Sequence, residues 1–404
     1  MLSEDAIENL VQPIIDRQES INIMVIQTIA DKLGEIGTIT PSDIDRLKIL
    51  VECGADIRKL NNEIARLSGL QVRNIQAVIK EVALDSYRDA KPLYDYREKS
   101  FIPFSQNEKL QKTVSAIQKI TAGEYTNLSN SKATGFLIDD PKHPGKLKFQ
   151  SIGNTYKTVV DKAIQSAKSG VIDYRQAVRK SVKQLLDSGV RRIQWDSGYT
   201  QRLDTAVRRN VLDGVHAIQQ AMEDEIGKQI GADGKELSVH INCALDHEPI
   251  QGHRFTNEEY DKLQNNEPFE DLNGKKFDAL DRIIGIWNCR HFAYSIIIGV
   301  SKPRYTQKQL DEYIRKNHEG YVLPNGKHIT MYECIQMQRQ METKIRYAKE
   351  AQMAYKQSGN IDDARKARQT VVKLTSQYKI FSKDCGLKIS SDRITVPGYI
   401  AMKI

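Results

Sequence analysis

The central stretch of the chain, residues 239–300, has a sequence pattern that differs from both of its flanks. Before and after it, apolar residues recur at helical spacing among many charged residues. The central stretch instead carries short apolar runs and turn residues, which are typical of strands and loops. This contrast predicts a mainly α protein with a small α+β central module, elongated and built from several long helices and helical hairpins.

Helix-breaking and turn residues divide the chain into five predicted regions. Pro92 and Pro103 interrupt the helical pattern, and a glycine-rich turn at 231–234 precedes the central stretch. A second turn at 358–360 joins two charged helical stretches. The predicted regions are a helical N-terminal docking region (1–100), a helical domain (101–235), the central α+β module with its cysteine and histidine segments (236–304), a C-terminal helical hairpin (305–390) and an extended tail (391–404).

Shorter stretches also carry local signals. Residues 127–145 are polar and rich in turn residues, which indicates an exposed loop. Residues 237–243 alternate like a strand, and a long helix is expected to begin near Thr200. At 21–29, apolar residues lie on more than one face of a predicted helix, which favours packing against another chain or domain.

The basic balance of the chain favours an acidic partner. Sixty Lys and Arg residues against 52 Asp and Glu give a formal net charge of +8, which suits DNA or an acidic protein surface. Five cysteines without regular spacing argue against a disulfide framework and for a reducing cytosol. No apolar run approaches the ~18 residues of a membrane span, and the acidic N-terminus lacks signal-peptide features. We therefore expect synthesis in the cytoplasm and no membrane partner.

Two cysteine–histidine pairs in the central stretch suggest a metal site. Cys243 and His247 are four residues apart, and Cys289 and His291 are two residues apart. Thiolates and imidazoles are the ligands that zinc prefers, so the four side chains could form a structural zinc site that clamps two strands. The nearby His240 and His253 would compete as ligands.

The same segments also fit ordinary packing without an ion. In that interpretation Trp287 and Phe292 are buried, while Arg290 and His291 hydrogen-bond the turn at 251–253. Most cysteines and histidines in proteins have such roles, so this alternative stays open beside the zinc site.

A nuclease of the histidine–metal kind is the enzymatic alternative. It would use Asp246, His247, His253 and His291 to hold a metal ion that activates a water molecule. The sequence contains no complete nuclease motif, no glycine-rich phosphate loop, no nucleophile elbow and no pair of catalytic carboxylates. We therefore expect no enzymatic activity.

A local group of arginines raises a further hypothesis, contact with DNA. Phosphate neutralisation by these side chains would be insensitive to base sequence and sensitive to salt. Alternatively, they pair with acidic residues such as Asp196, Asp204 and Asp213, because positive and negative residues alternate here. The arginines are Arg191, Arg192, Arg202, Arg208 and Arg209.

Several motifs resemble the phage minor capsid protein 2 family, in the order in which that family has them. Residues 194–211 resemble one signature, with Trp195-Asp196-Ser197-Gly198-Tyr199 followed by Arg202-Leu203-Asp204 and Arg208-Arg209. Residues 243–255 resemble a second, although Cys243-Ala244-Leu245-Asp246 stands where the family usually has a small residue and an arginine. Asn288-Cys289-Arg290-His291 matches a third. Further matches lie at 305–307, Gln338, 342–346 and 378–382, so that the resemblance covers roughly residues 120–390.

The resemblance implies a structural and assembly role and does not imply catalysis. Proteins of this kind are minor virion components that act next to the portal, so the expected partners are the portal protein, the major capsid protein and packaged phage DNA. The expected location is the capsid interior or the portal vertex, and no cofactor is implied. The motif residues that would have structural roles are Trp195, Asp196, Gly198, Arg208, Arg209, His247, Gln251, Gly252, Trp287, Asn288, Cys289, Arg290 and His291.

Overall fold

The fold consists of long helices with short antiparallel sheets, which confirms the prediction of a mainly α protein with minor β structure. Across the part of the chain that is described, no helix is both long and apolar enough to cross a membrane. The computed structural model describes residues 4–36, 43–130, 133–140, 142–168, 173–194, 199–240, 243–285, 289 and 291–403.

Eleven α-helices are found within these described ranges, and local signals account for several of their ends. They are α1 (Glu4–Ile36), α2 (Asp43–Arg88), α3 (Lys91–Tyr96), α4 (Glu108–Leu128), α5 (Ile152–Lys168), α6 (Tyr174–Ser188), α7 (Leu203–Ile230), α8 (Asn257–Gln264), α9 (Gln307–Glu319), α10 (Met331–Gln357) and α11 (Ile361–Asp384). Asp173 caps α6 by accepting a hydrogen bond from the backbone N–H of Gln176. Thr306 and Gln309 form a capping box at the start of α9.

All of the strand pairings found are antiparallel. The strands are β1 (Thr134–Asp139), β2 (Leu147–Ser151), β3 (Arg191–Gln194), β4 (Tyr199–Arg202), β5 (Gly234–Leu237), β6 (Arg254–Thr256), β7 (Phe269–Glu270), β8 (Lys276–Phe277), β9 (Ala293–Ile296), β10 (Tyr321–Val322) and β11 (His328–Ile329). One sheet has the order β2-β1-β3-β4, a second has the order β6-β5-β9, and β7-β8 and β10-β11 are two-stranded.

The exposed loop predicted at 127–145 is found at 142–145, which form exposed turns, but the prediction was wrong where α4 ends and where β1 lies. Helix α4 continues to Leu128, and β1 follows within a few residues. Strand β1 buries Phe136 and Ile138 on one face and pairs with β2 on one edge and β3 on the other. The alternation of these apolar residues stabilises a central strand, although polar neighbours obscure it in the sequence.

Two other predicted boundaries are shifted. The strand expected at 237–243 lies at Gly234–Leu237, because its partners β6 and β9 pair only with that part of the chain. The helix expected from Thr200 begins at Leu203, because residues 199–202 form β4 and pair with β3. In both places tertiary pairing decides between local conformations that the sequence pattern leaves close in energy.

The chain forms two compact units, each made of three separate stretches. The first unit contains Met1–Val11, Ile75–Ala122 and Arg209–Met337, and the second contains Gln12–Asn74, Gly123–Arg208 and Gln338–Ile404. The five regions expected from the sequence stay a prediction.

The core of the first unit lies against the β6-β5-β9 sheet. Phe255 from β6 packs against Phe269 and Phe277, with ring centroids 5.6 and 6.4 Å away. Edge-to-face and stacked contacts of this kind add to the free energy gained by burying the rings. The buried residues of this core are Leu237, Ile250, Phe255, Tyr260, Leu263, Phe269, Leu280, Ile284, Cys289 and Ala293.

The apolar residues of α1 that suggested packing against another chain or domain are buried within the chain. Val25 and Ile26 are 1% and 2% exposed, and Ile29 is fully covered. Because residues on several faces of the helix are covered by the protein itself, this apolar pattern needs no second chain to explain it. The covered residues at 21–29 include Ile21, Ile23, Val25, Ile26 and Ile29.

A buried ion cluster lies in the second unit. The Arg202 guanidinium is 3.2 Å from Glu350 and 3.6 Å from Asp204. Its Cζ lies 3.6 Å from the centroid of the Tyr347 ring. Arg346 is 3.7 Å from Asp204 and 3.6 Å from Glu19. We call the charged residues Glu19, Arg202, Asp204, Arg346 and Glu350 the ion cluster.

Three carboxyl groups and two guanidinium groups do not balance if all are ionised. Burial raises the pKa of Glu19 to about 8; Arg346 opposes the rise, whereas Glu350 and Asp204 add to it. Protonation of Glu19 removes one of the three negative charges, and burial raises the pKa of Glu350 as well. Folding therefore takes up a proton at Glu19 in neutral solution.

We predict that Glu19→Gln weakens the pH dependence of stability. The folded chain holds this proton at pH values where the unfolded chain has released it, so the associated stability is present below the ordinary pKa of 4.5 and is lost as the pH rises toward 8. The variant should therefore lose roughly 2–5 kcal/mol less unfolding free energy than the wild type between about pH 5 and about pH 8. Urea unfolding at both pH values measures the difference.

Glu124→Gln is the matched control, because Glu124 is an exposed glutamate on α4. That variant should keep the pH dependence of the wild type. Equal losses of stability in the wild type and in Glu19→Gln would contradict the role assigned to Glu19.

Candidate functional site

The pairing of β5 with β9 brings the two histidine- and cysteine-bearing segments together. Leu237, the last residue of β5, lies opposite Ala293, the first residue of β9. Ser238 extends the pairing, since its N–H donates to the Phe292 carbonyl at 2.7 Å and its hydroxyl accepts from the Phe292 N–H at 2.8 Å. The chain that leaves β5 and the chain that enters β9 therefore lie at the same end of the sheet.

Three of the predicted ligands meet at this end of the sheet. The Sγ atom of Cys289 is 3.4 Å from Nδ1 of His247 and 3.5 Å from Nδ1 of His291. Ligand atoms of the three side chains all lie within 4.8 Å of one another. The side chains are buried, with residue exposures of 8% or less. We call these three residues the HCH cluster.

A backbone carbonyl orients the imidazole of His247 in the HCH cluster. Nε2 of His247 lies 2.6 Å from the carbonyl oxygen of Arg282, which can only accept, so this nitrogen carries a proton. In neutral His247 the lone pair is then on Nδ1, which faces Cys289. The carbonyl of His291 lies 2.6 Å from Nε2 of His216. Nε2 of His291 is buried and has no partner among the described residues.

The electrostatics of the HCH cluster favour a cysteine thiolate. Burial alone would raise the pKa of Cys289, but the hydrogen bond to His247, together with backbone hydrogen bonds and the charge of His247, lowers it overall. Burial likewise opposes protonation of His247, but contacts with Cys289 and the Arg282 carbonyl raise its pKa. For His291, burial and the neighbouring histidines lower the pKa to about 2, so this ring is neutral.

The other predicted ligands lie outside the HCH cluster. Cys243 is buried nearby, and burial followed by the charges of Glu248 and Asp246 raises its pKa to about 12. His253 instead bonds Asp271, with Nδ1 2.6 Å from the carboxylate. The ring of His240 stacks edge-on against His291 at 4.8 Å between centroids.

One feature expected from ordinary packing without a metal ion is seen in the structure. Phe292 is buried, as that alternative requires. The Gln251 carboxamide accepts from the His240 N–H at 3.0 Å, so it orders the chain just after β5. Six of the motif residues lie outside the described residues: Trp195, Asp196, Gly198, Trp287, Asn288 and Arg290.

Two residues around the HCH cluster had not been singled out in the sequence. His216 lies on α7 between buried Val215 and Ile218, and this position on an apolar helix face is the signal that could have drawn attention to it. Arg282 supplies the carbonyl that faces His247, and its guanidinium holds Asp246 at 3.0 and 3.1 Å. Every residue type has a backbone carbonyl, so the sequence could not indicate that the carbonyl of Arg282 would contact His247.

The arginines proposed for DNA contact have different surroundings. Arg202 belongs to the ion cluster, and its side chain is only 10% exposed, so it does not present a free charge to phosphate. Arg191 donates to the hydroxyl and the carbonyl of Thr200, both at 2.8 Å. Arg208 and Arg209 are half-buried and have interactions of their own, and the side chain of Arg192 lies outside the described residues.

The backbone conformation and close packing at position 252 explain why the motif residue that follows Gln251 is a glycine. Gly252 has φ of +75°, and a Cβ atom added to it would lie 2.4 Å from Cδ2 of Leu310. Positive φ is accessible to glycine at little cost, whereas an added Cβ atom here would also displace the Leu310 side chain of α9. The turn that carries His247 therefore packs closely against that helix.

We predict that Gly252→Ala destabilises the chain by about 2–4 kcal/mol, because positive φ and steric overlap act together. Gly299→Ala is the control, since Gly299 has φ of +79° but open space around its Cα, and it should cost only about 1 kcal/mol. Denaturant unfolding of both variants measures the difference. Equal costs would show that the contact with Leu310 is unimportant.

Comparison with known proteins agrees with the motifs. A sequence model of the phage minor capsid protein 2 family matches residues 2–382. No curated protein and no solved structure matched the chain. The match extends through both compact units and includes the HCH cluster and the ion cluster. The chain therefore belongs to the phage minor capsid protein 2 family.

Proposed function

We propose that this chain is a minor structural protein of a bacteriophage head that binds the portal vertex or the inner capsid surface. There it acts in head assembly and in the packaging or delivery of DNA. The observation that carries the proposal is the family match over residues 2–382, which makes the chain a component of the virion. The portal protein and the major capsid protein are the partners that this role requires.

The contacts of several motif residues support a structural role rather than a catalytic one. Arg202 and Asp204 belong to the buried ion cluster. Gln338 donates to the Ser382 hydroxyl at 3.0 Å, which ties α10 to α11. Buried polar contacts of this kind specify which segments pack together, and they need no substrate to explain them.

The nuclease alternative requires four side chains to hold one metal ion, but in the structure two of them bond other residues. Asp246 accepts two hydrogen bonds from Arg282, and His253 is bonded to Asp271. Only His247 and His291 of the four proposed residues belong to the HCH cluster. We therefore propose no catalytic step for this chain.

The docking region is proposed to lie within residues 1–100. Because much of the apolar surface of α1 is covered, the exposed apolar residues of this region are the candidates for partner contact. Val51 on α2 is 74% exposed, and Tyr96 at the end of α3 is 75% exposed. Exposed aromatic and aliphatic side chains are the usual anchors of protein interfaces.

Mass spectrometry of purified virions tests the proposal directly. We expect this chain at a low, fixed ratio to the major capsid protein, because a vertex or inner-shell component occupies few positions. Particles assembled without the portal protein separate the two sites: loss of the chain indicates portal binding, and retention indicates shell binding. Absence from complete virions would contradict the structural role.

We predict that Val51→Asp and Tyr96→Asp reduce incorporation into virions at least about fivefold, since a charge at an apolar contact costs roughly 1–3 kcal/mol. Thermal unfolding should stay close to wild type, because both side chains are exposed. Ile380→Asp is the matched control, as Ile380 is 59% exposed on α11, outside the proposed region. Normal incorporation of both docking variants would rule out these contacts.

A further inference from the structure

We propose that the HCH cluster, His247, Cys289 and His291, is a zinc site. The ion would join the turn that follows β5 to the segment that precedes β9. This inference concerns the stability of the first unit. It does not depend on the proposed role in head assembly.

The spacing of the ligand atoms fits a tetrahedral ion. Zinc–sulfur and zinc–nitrogen bonds of about 2.3 and about 2.1 Å, at a tetrahedral angle, place sulfur and nitrogen about 3.6 Å apart. The corresponding separations at Cys289 are 3.4 Å to His247 and 3.5 Å to His291. Both sulfur–nitrogen distances therefore match a shared ion, and the ligand atoms of all three side chains lie within 4.8 Å of one another.

The donor set also suits zinc. Two imidazole nitrogens and one thiolate form a borderline-soft site, which disfavours magnesium and calcium. The Arg282 carbonyl holds the Nε2 proton of His247 and leaves the Nδ1 lone pair directed at the cluster. A backbone carbonyl that orients a histidine in this way is the usual second contact of a metal-bound imidazole.

Hydrogen bonding alone accounts for the HCH cluster less well. A Cys289 thiol could donate to only one of the two nitrogens that face it, whereas a thiolate would place a negative charge in a buried site. If the thiol donates to His247, neutral His291 keeps a lone pair without a donor, on Nδ1 or on the unpartnered Nε2. If it donates to His291 instead, the Nδ1 lone pair of His247 has no donor. Leaving such groups unsatisfied in a buried site costs free energy, and an ion accepts the lone pairs of all three side chains.

The location indicates a structural ion. Cys289 is part of the hydrophobic core of the first unit. The sheet beside it consists of strands of only three or four residues. Short strands bury little apolar area, and a metal bond between distant segments offsets that deficit. The HCH cluster supplies three of the four ligands of a closed structural site, so a further side chain or a water molecule has to complete the coordination.

The test uses the full-length protein, expressed with zinc in the medium and purified without chelator. Elemental analysis should give about one zinc per chain. Replacement of zinc by Co²⁺ should produce thiolate-to-cobalt charge transfer in the near ultraviolet and the intense visible bands of a tetrahedral site. These readouts are independent of capsid binding, so their failure would leave the proposed function untouched.

Cys289→Ser and His247→Gln should abolish the charge-transfer band or weaken zinc affinity by more than the roughly 10- to 100-fold that loss of an outer contact costs. Cys334→Ser is the matched control, because Cys334 is a buried cysteine in the same unit that lies outside the HCH cluster. It should keep about one zinc per chain. Circular dichroism reports whether each variant is folded.

Two results would overturn the zinc site. The first is wild-type protein that contains no zinc and shows no thiolate band with Co²⁺, which needs no variant to fold. The second is full metal binding by folded Cys289→Ser. Chelation adds an independent check, since it should lower the unfolding temperature of the wild type and leave that of Cys289→Ser unchanged.

Discussion

The antiparallel pairing of β5 with β9 is the contact on which the first unit depends. The two strands are more than fifty residues apart in the chain, and their register places Leu237 opposite Ala293. A shift of one residue would turn the side chains of β9 to the opposite face and separate the segments that hold the HCH cluster. The backbone ladder therefore positions His247 and Cys289, and their own contacts reinforce it.

In the second unit, the ion cluster holds segments together that are far apart in the chain. Arg202 is the last residue of β4 and Asp204 lies in the first turn of α7, whereas Arg346 and Glu350 come from α10, far along the chain. Removing one member of such a buried group leaves an uncompensated charge, which makes the arrangement sensitive to substitution. The residues matched by the family model thus include the HCH cluster and the ion cluster, each of which joins segments that are far apart in the chain.

Local pattern predicted the long helices, but it misplaced the start of α7, where residues 199–202 pair as β4. The charged hairpin of α10 and α11 and the capping box of α9 follow from helical spacing and from residues that satisfy free backbone groups. Short strands were harder: β1 has only six residues, and its apolar alternation is surrounded by turn formers. Its stability comes from pairing on both edges, which periodicity does not reveal. The His247, Cys289 and His291 grouping was anticipated from residue type, but the exclusion of Cys243 was not.

The amino-acid sequence by itself determined the fold class, the family and the identity of the residues that could bind metal. These depend on helical periodicity, on ordered motifs and on the chemistry of thiol and imidazole groups, all of which are local. Tertiary structure alone decided which of those groups meet, that Arg202 is buried against Glu350, and that the apolar faces of α1 are covered by the chain itself. The reason is that contacts between residues far apart in the chain determine which side chains are buried and which residues they contact. The local sequence pattern does not contain information about those contacts.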